Sequence, residues 1–374
     1  MLSVKNPIMT GFFPDPSICR VGNKFYTVHS TFAYFPGVPV FESEDLVHWN
    51  LISNVLDRDS QVPLSGCQHS QGIFAPTIRY HKGTWYMITT NVSDQGNFIV
   101  TAKDPRGPWS EPYYLGESTG GIDPSLFFDD DGTCYYIGQR PRSAGYRYNG
   151  DCEIWIQTLD LDTMQLKPDA TIVLTGFQRK AIWPEGPHLY KKDGYYYILH
   201  AESGTSIHHS VMIARSKNVF GPYEYCPCNP ILTHRHLGAQ YPVTCVGHAD
   251  LVDDGNGNWY MVVLACRPNQ GYTLLGRETF LAKVTWEDGW PVVTAGVGHL
   301  EEVVTLPYEG QPSDDVPQCK TYTFDTPSLP LELLTLRNHR DHELELHAEE
   351  HIVRLFHRCD SLKDCGEPAY LALR

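Results

Sequence analysis

Three acidic residues occur at the same point of related segments in this 374-residue sequence. Asp15 lies in FFPDPS, Asp123 in GGIDPS and Glu185 in WPEGP. An Asp before Pro readily caps a turn, but turn capping is a poor explanation for three acids at one phase of a repeat. Clustered carboxylates raise one another's pKa, and a pair with one protonated and one ionised member is suited to acid–base cleavage of a glycosidic bond. The sequence therefore predicts a site that brings these three acids together.

The fold that must position these acids is indicated by an internal repeat. Five related segments start at residues 15, 75, 123, 185 and 248, and each has a short apolar run, a Gly-containing turn and an aromatic-rich run, as hairpins do. A second pair of strand-like segments follows each hairpin: Val38–Phe41 with Trp49–Ile52, Phe98–Ala102 with Tyr113–Leu115, Ile154–Thr158 with Ile172–Leu174, Val211–Ala214 with Tyr223–Tyr225, and Phe280–Val284 with Val292–Thr294. Four strands in each of five repeats predict an all-β fold, a five-bladed β-propeller.

The first strand of each propeller blade lies innermost, so residues at the heads of these strands should meet at the mouth of the central channel. The heads are Asp15, Ala75, Asp123, Glu185 beside Gly186, and His248. Acids on the first and fourth blades would lie on different sides of the channel. That arrangement favours the wider carboxylate gap of an inverting glycosidase over the narrow gap of a retaining one.

The neighbours of these acids suggest different roles for them. Glu185 is flanked by Trp183 and two prolines, and an apolar setting favours the neutral form that a general acid requires. Arg277 precedes a strand of the fifth repeat, and an Arg that reaches inward would hold at least one carboxylate ionised. His248 has three open interpretations: a hydrogen-bonded structural residue, a sugar ligand, or a neighbour of a channel cation.

Aromatic residues near the same mouth could form a sugar platform. Phe32 lies in the loop STFAYFPG and is the first candidate, although ordinary loop packing explains it equally well. Phe74 could supply a further wall. A polar insertion at 140–150 could contact leaving-group sugars.

Composition narrows the classes of partner. The formal net charge of −15 argues against nucleic acid or an anionic membrane surface, and no run of 18 apolar residues suggests a transmembrane helix. Eleven cysteines without a Cys-x-x-Cys pair favour reduced thiols over zinc or disulfides. The first residues contain no apolar stretch of signal-peptide length, so we expect a cytoplasmic protein.

We expect three parts along the chain: the propeller at 1–306, a linker at 307–320, and the start of a C-terminal β-sandwich at 321–374. The last part holds only a few strand-like runs, too little for an independent core. It should therefore pack on the propeller, join a partner, or belong to a larger domain that is cut short.

Taken together, the motifs around Asp15, Asp123, Glu185, His248 and Arg277 resemble glycoside hydrolase family 43, in its β-xylosidase and α-L-arabinofuranosidase branch. The resemblance covers the whole propeller. It implies an inverting mechanism with Asp15 as general base, Glu185 as general acid and Asp123 as the carboxylate that tunes and orients the acid.

The resemblance also implies how the sugar is bound. His248 and Arg277 match sugar-binding positions, Phe32 matches an aromatic wall, and Thr205 matches less securely. Phe74 stands where relatives often carry Trp, which could alter sugar stacking. A C-terminal β-sandwich is common in this branch, and the segment from 324 resembles its beginning.

The implied activity is the removal of xylose from the non-reducing end of β-1,4-xylo-oligosaccharides. An α-L-arabinofuranosidase, a bifunctional enzyme and a non-catalytic sugar-binding propeller remain alternatives. No cofactor is required, although some relatives hold Ca²⁺ in the channel near the residue matching His248. We expect a small oligosaccharide as partner, and a homo-oligomer stays open.

Overall fold

The computed structural model describes residues 1–116, 120–176, 179–310, 320–337, 344–356, 361–363, 365–366 and 368–374. The described residues are mainly β-strands, with short 3-10 helices at Arg235–Leu237 and Ala348–Glu350. In chain order the strands are β1 Leu2–Lys5, β2 Ser17–Val21, β3 Lys24–Val28, β4 Tyr34–Phe35, β5 Gly37–Ser43, β6 Asn50–Leu56, β7 Thr77–His81, β8 Thr84–Asn91, β9 Gly96–Ala102, β10 Tyr113–Tyr114, β11 Ile122–Phe128, β12 Cys134–Pro141, β13 Cys152–Asp160, β14 Gln165–Leu166, β15 Thr171–Thr175, β16 Glu185–Lys192, β17 Tyr195–Glu202, β18 Ser210–Ser216, β19 Glu224–Tyr225, β20 Thr244–Asp253, β21 Trp259–Cys266, β22 Glu278–Glu287, β23 Trp290–Val293, β24 Val303–Leu306, β25 Leu333–Leu336, β26 Leu344–His347, β27 Ile352–Leu355 and β28 Ala372–Leu373.

The five repeats form five antiparallel sheets. Their strand orders are β2-β3-β5-β6, β7-β8-β9-β10, β11-β12-β13 with β14 and β15 both on β13, β16-β17-β18-β19, and β20-β21-β22-β23. The all-β prediction is confirmed, and each predicted strand pair coincides with a pair of observed strands. β14 is an addition that the repeat did not indicate.

The apolar core is divided among five clusters, each between two sheets. The reason is the period-2 alternation of the strands, which gives each sheet an apolar face on both sides. Phe98, Trp155 and Phe280 are among the fully buried side chains of these clusters. One cluster joins Ile18 of the first sheet to Val262 of the fifth, so the last sheet of the series packs against the first.

A buried polar layer links the first strands of all five sheets. Ser17 Oγ and Arg79 Nη1 both donate to Oδ2 of Asp250, over 2.8 and 3.0 Å. His188 Nδ1 lies 3.0 Å from the hydroxyl of Ser125 and 3.2 Å from Nη2 of Arg79. Four of these residues, at positions 17, 125, 188 and 250, lie two positions after the strand heads at 15, 123, 186 and 248. Side chains two positions apart in a strand point to the same face, so this layer lies next to the heads along the strands.

Strands outside the five sheets join distant parts of the chain. β1 pairs with β24, and β25 pairs with both β4 and β28. Arg337, directly after β25, is fully buried, and its backbone N–H donates to Ala33 O over 2.7 Å while its Nε donates to Cys67 O over 2.8 Å. The described tail therefore packs on the aromatic loop of the first repeat.

The domain boundaries at 306 and 321 stay predictions. Of the predicted linker 307–320, residues 311–319 lie outside the described residues. Within the part of the chain that the structure describes, no helix has the length and apolar character needed to cross a membrane.

Candidate active site

Four of the five strand heads share an unusual backbone conformation, and Ala75 is the exception. Asp15, Asp123 and His248 have φ values of 52, 55 and 49°, and Gly186 has 57°. For a non-glycine residue this left-handed conformation costs about 1–3 kcal/mol. Register shifts follow the heads of β11, β16 and β20, and such irregularities re-aim a side chain at the edge of a sheet. In the fourth repeat, Gly186 therefore takes the position equivalent to Asp15, Asp123 and His248, and Glu185 lies one position earlier.

Asp15 is buried among groups that favour its ionised form. Nη1 of Arg277 donates to Oδ1 over 2.7 Å, and the Ser30 hydroxyl donates to Oδ2 over 2.5 Å. Nδ1 of His248 lies 3.8 Å from Oδ1. Burial by itself would raise the pKa of Asp15, but Arg277, then His248 and then Ser30 outweigh burial and hold the pKa below its ordinary value. Asp15 is therefore ready to accept a proton.

Glu185 and Asp123 are shifted in the opposite direction. Burial, followed by the nearby charge of Asp15, raises the pKa of Glu185 to about 7, against an opposing effect of Arg277. Burial, followed by Glu185 and Asp15, raises the pKa of Asp123 well above its ordinary value. The backbone N–H of Gly186 donates to Asp123 Oδ2 over 3.1 Å. The structure thus brings the three predicted acids into one electrostatically coupled cluster.

His248 packs on the backbone beside Glu185. A Cβ placed on Gly186 would lie 2.9 Å from Cε1 of the His248 ring, so only glycine allows this close approach. Burial lowers the pKa of His248 although Asp15 opposes the shift, which makes the neutral imidazole the favoured form. The neutral ring can offer a sugar hydroxyl either a donor or an acceptor.

Three of the five predicted sugar-binding residues line one cavity. Phe32, Thr205 and Arg277 line a cavity of about 460 Å³ together with Leu336 of β25. The guanidinium carbon of Arg277 lies 5.2 Å from the centre of the Phe32 ring, and the rings of Phe32 and Phe74 are 5.3 Å apart. Thr205 is exposed on the cavity wall.

Three residues at the site were missed from sequence. Ser30, two positions after β3, binds Asp15, and Phe12 packs on Phe32 with ring centres 5.8 Å apart. His209 is fully buried, its pKa is lowered to about 3 mainly by burial, and its Nε2 has no hydrogen-bond partner among the described residues. His209 lies directly before β18, and its interaction with Asp15 is one of the smaller contributions to the lowered pKa of that acid.

The residues below the carboxylates do not fit a calcium site. The resemblance raised a channel cation near His248, and Ca²⁺ takes six to eight oxygen ligands. Here Arg79 pairs with Asp250 at 3.0 Å, and although burial opposes it, this charge lowers the pKa of Asp250 to about 2. Across the described ranges, no group of three or more His, Cys, Asp or Glu side chains is arranged to hold a metal ion. Arg79 supplies the positive charge of this region.

The geometry agrees with comparisons to known proteins. Residues 4–291 match the family model for glycosyl hydrolases family 43. A xylosidase/arabinosidase of Butyrivibrio fibrisolvens is 57% identical over 376 residues, covering 100% of this chain and 72% of that protein. A non-reducing end α-L-arabinofuranosidase of Bacteroides ovatus is 44% identical over 346 residues, covering 89% of this chain and 61% of that protein.

A solved structure extends the likeness to three dimensions. The xylan β-1,4-xylosidase from Bacillus halodurans C-125 superposes with a TM-score of 0.88 at 38% identity, covering 99% of this chain and 72% of that one. The family match spans well over half of the chain, and the coupled acids lie within the matched residues. The chain therefore belongs to glycosyl hydrolases family 43 and is a glycoside hydrolase.

Proposed function

We propose that this chain is an inverting exo-glycosidase that removes xylose from the non-reducing end of β-1,4-xylo-oligosaccharides. The observation that carries the proposal is the opposite shift of two neighbouring carboxyl groups. The pKa of Asp15 is held below its ordinary value, whereas that of Glu185 is raised to about 7. Near neutral pH one group is therefore a base and the other an acid, which is the pairing that glycoside hydrolysis requires.

In this mechanism Asp15 removes a proton from a water molecule as the water oxygen attacks the anomeric carbon. Glu185 donates its proton to the glycosidic oxygen as the bond from that oxygen to the anomeric carbon breaks. Attack from the face opposite the leaving group converts the β-xyloside into α-xylose. Asp15 ends protonated and Glu185 ionised, so proton exchange with solvent restores both groups.

Asp123 is assigned to tune and orient the acid. It accepts a hydrogen bond from the N–H of Gly186, which holds the backbone beside Glu185. Arg277 and His248 are assigned to the hydroxyl groups of the bound sugar. Phe32 and Phe74 are assigned as its aromatic wall and Thr205 as part of the rim.

The mechanism as proposed needs no metal ion. The charge of Arg79 balances that of Asp250 beneath the site. We also propose that the five sheets close into a five-bladed propeller. The apolar cluster between the fifth and first sheets and the hydrogen bond from Ser17 to Asp250 support that closure.

Arabinofuranosidase activity is the second candidate. It is favoured by the names of two relatives, one a xylosidase/arabinosidase and the other an arabinofuranosidase. Both sugars present similar hydroxyl patterns to the same binding residues. Turnover of aryl β-xyloside and aryl α-arabinofuranoside should be compared directly, and a clear preference for the arabinofuranoside would reverse the proposed order.

The stereochemical test uses NMR of the first-released sugar from xylobiose. We expect the α anomer of xylose to appear first and then to equilibrate with the β anomer. Release of the β anomer would overturn the assignment of Asp15 as a base acting on water. An inactive protein that still binds xylobiose would instead identify a sugar-binding module.

A further inference from the structure

Two cysteine side chains line the same cavity as Phe32 and Arg277. They are Cys245 of β20 and Cys266 of the neighbouring strand β21, and both are free thiols. Cys245 is half-buried, whereas Cys266 is only 5% exposed. Neither thiol takes part in the proposed acid–base chemistry, although both lie in the wall of the cavity.

The backbone of β20 turns the side chain of Cys245 toward Cys266. Cys266 is the register partner of Thr244, so a regular strand would place Cys245 on the other face of the sheet. The register shifts between Thr244 and Gly247, and Cys245 has a φ of 60°, which is uncommon for a residue other than glycine. These irregularities bring the two thiols together, and the thiol of Cys266 donates a hydrogen bond to the sulfur of Cys245.

The two thiols differ in the way that stepwise oxidation requires. The hydrogen bond from Cys266 lowers the pKa of Cys245 to about 6, although burial opposes the shift. The same hydrogen bond, followed by burial, raises the pKa of Cys266. Cys245 is therefore both the thiolate and the more exposed sulfur, and Cys266 keeps its proton beside it. An accessible thiolate next to a second thiol is typical of cysteines that form disulfides reversibly.

We propose that Cys245 and Cys266 form an oxidation site for hydroperoxides, and that the disulfide made there lowers the activity of the enzyme. The sulfur of Cys245 attacks an oxygen of the hydroperoxide, the O–O bond breaks, and the departing alkoxide or hydroxide takes a proton from solvent. The sulfur of Cys266 then attacks the resulting sulfenic acid, so that an S–S bond forms and the S–O bond breaks. The proton of Cys266 leaves with the hydroxyl group as water, and the two electrons lost by the thiols have reduced the peroxide.

The disulfide would act on the site through the residues that follow Cys245. An S–S bond is shorter than a hydrogen bond between two thiols, so its formation must change the position of Cys245. Nδ1 of His209 donates to Cys245 O over 3.2 Å, and a Cβ on Gly247 would lie 2.4 Å from the His209 ring, so this segment is tightly packed. His248 comes next, with its Nδ1 3.8 Å from Oδ1 of Asp15. A shift at Cys245 therefore reaches the imidazole beside the proposed base.

The test treats the intact protein with hydrogen peroxide and then with dithiothreitol. Peptide mass spectrometry after alkylation of the remaining thiols should find a cross-link between Cys245 and Cys266 that dithiothreitol removes. We expect kcat/KM for xylobiose to fall at least about tenfold on oxidation and to return on reduction, because small displacements at a site can cost about 10²-fold in rate. Cys245→Ser and Cys266→Ser should form no cross-link, and peroxide should leave Cys245→Ser as active as its own untreated sample.

A second pair of neighbouring thiols, Cys226 and Cys228, lies outside this cavity and provides a matched control. Cys228→Ser should respond to hydrogen peroxide as the parent protein does. Complete alkylation of Cys245 and Cys266 after the peroxide treatment would overturn the oxidation site. A cross-link that leaves kcat/KM unchanged, or an equal loss of activity in Cys245→Ser, would overturn its effect on the enzyme. A parent protein that leaves xylobiose intact before oxidation would overturn the proposed function instead, and the cross-link would still decide whether the oxidation site exists.

Discussion

Asp15 and Arg277 are 262 positions apart in the chain, yet Nη1 of Arg277 donates to Oδ1 of Asp15 over 2.7 Å. The same guanidinium lowers the pKa of Glu185 as well, although there burial and the charge of Asp15 prevail. One residue, directly before β22 of the fifth sheet, thus acts on both members of the proposed acid–base pair. Its effect on the pH dependence of activity can be worked out for each member.

The parent protein should show a bell-shaped dependence of kcat/KM on pH. Asp15 must be ionised to act as base, so activity should fall only below its ordinary pKa of 3.8, because its pKa is lowered. Glu185 must be protonated to act as acid, so activity should fall as pH rises through about 7. Initial rates on xylobiose, whose leaving group needs a proton, provide the measurement across this range. A profile that stays flat well above pH 7 would contradict the assignment of Glu185.

Arg277→Ala should move both limbs of this profile to higher pH. Loss of the guanidinium removes a positive charge that lowers the pKa of Asp15 and of Glu185, so both values rise. The same kcat/KM profile measures the shift, and Arg277→Lys, which keeps the charge, is the control with a smaller displacement. Limbs that stay in place while the rate falls would mean that Arg277 acts on the sugar alone.

Removing each carboxylate should give a different dependence on the leaving group. Asp15→Ala should reduce kcat by about 10²–10⁴-fold on every β-xyloside, because no base then activates water. Glu185→Ala should cause a loss of that size only for poor leaving groups, since activated aryl groups depart without a proton. Glu287→Ala, at an exposed position of β22, is the control. Equal losses on both kinds of substrate would argue against Glu185 as the acid.

Gly186→Ala should impair activity more than its backbone strain explains. The new Cβ would lie 2.9 Å from the ring of His248, so the ring or the backbone must shift. Gly194 is a matched control, because its φ of +77° carries the same strain and nothing lies within 4 Å of its Cβ position. Since small displacements at a site can cost about 10²-fold in rate, we expect at least a tenfold loss for Gly186→Ala. Thermal unfolding should report similar strain in both variants, and equal activities would contradict the packing argument.

The Arg79–Asp250 pair should show strong coupling in urea unfolding. Arg79→Met or Asp250→Asn alone leaves a buried charge or donor without its partner, which costs about 3–5 kcal/mol. The double variant removes both charges and should lose less than the sum of the single losses. Additive losses of stability in the double variant would show that the two residues contribute independently to stability.

Addition of Ca²⁺ or of a chelator should leave the activity of the parent protein unchanged, because the proposed mechanism needs no metal ion.

The sequence by itself determined the strand content and the identity of the acids. Hairpin signals depend on local alternation and turn chemistry, and both are read from neighbouring residues. The repeat phase then identified Asp15, Asp123 and His248 as equivalent positions, and motif resemblance added Arg277, Phe32 and Thr205. Sequence also indicated an apolar setting for Glu185, in agreement with its raised pKa.

Only the tertiary structure decided which groups surround each acid. His209 and Arg79 reach the site region or its supporting layer through contacts between sheets, and no local pattern reports such contacts. Gly186 takes the place of a side chain because the His248 ring, brought from another sheet, fills the space. The opposite pKa shifts of Asp15 and Glu185 have the same origin. Burial and charge act through distance in space, and packing of five sheets sets those distances.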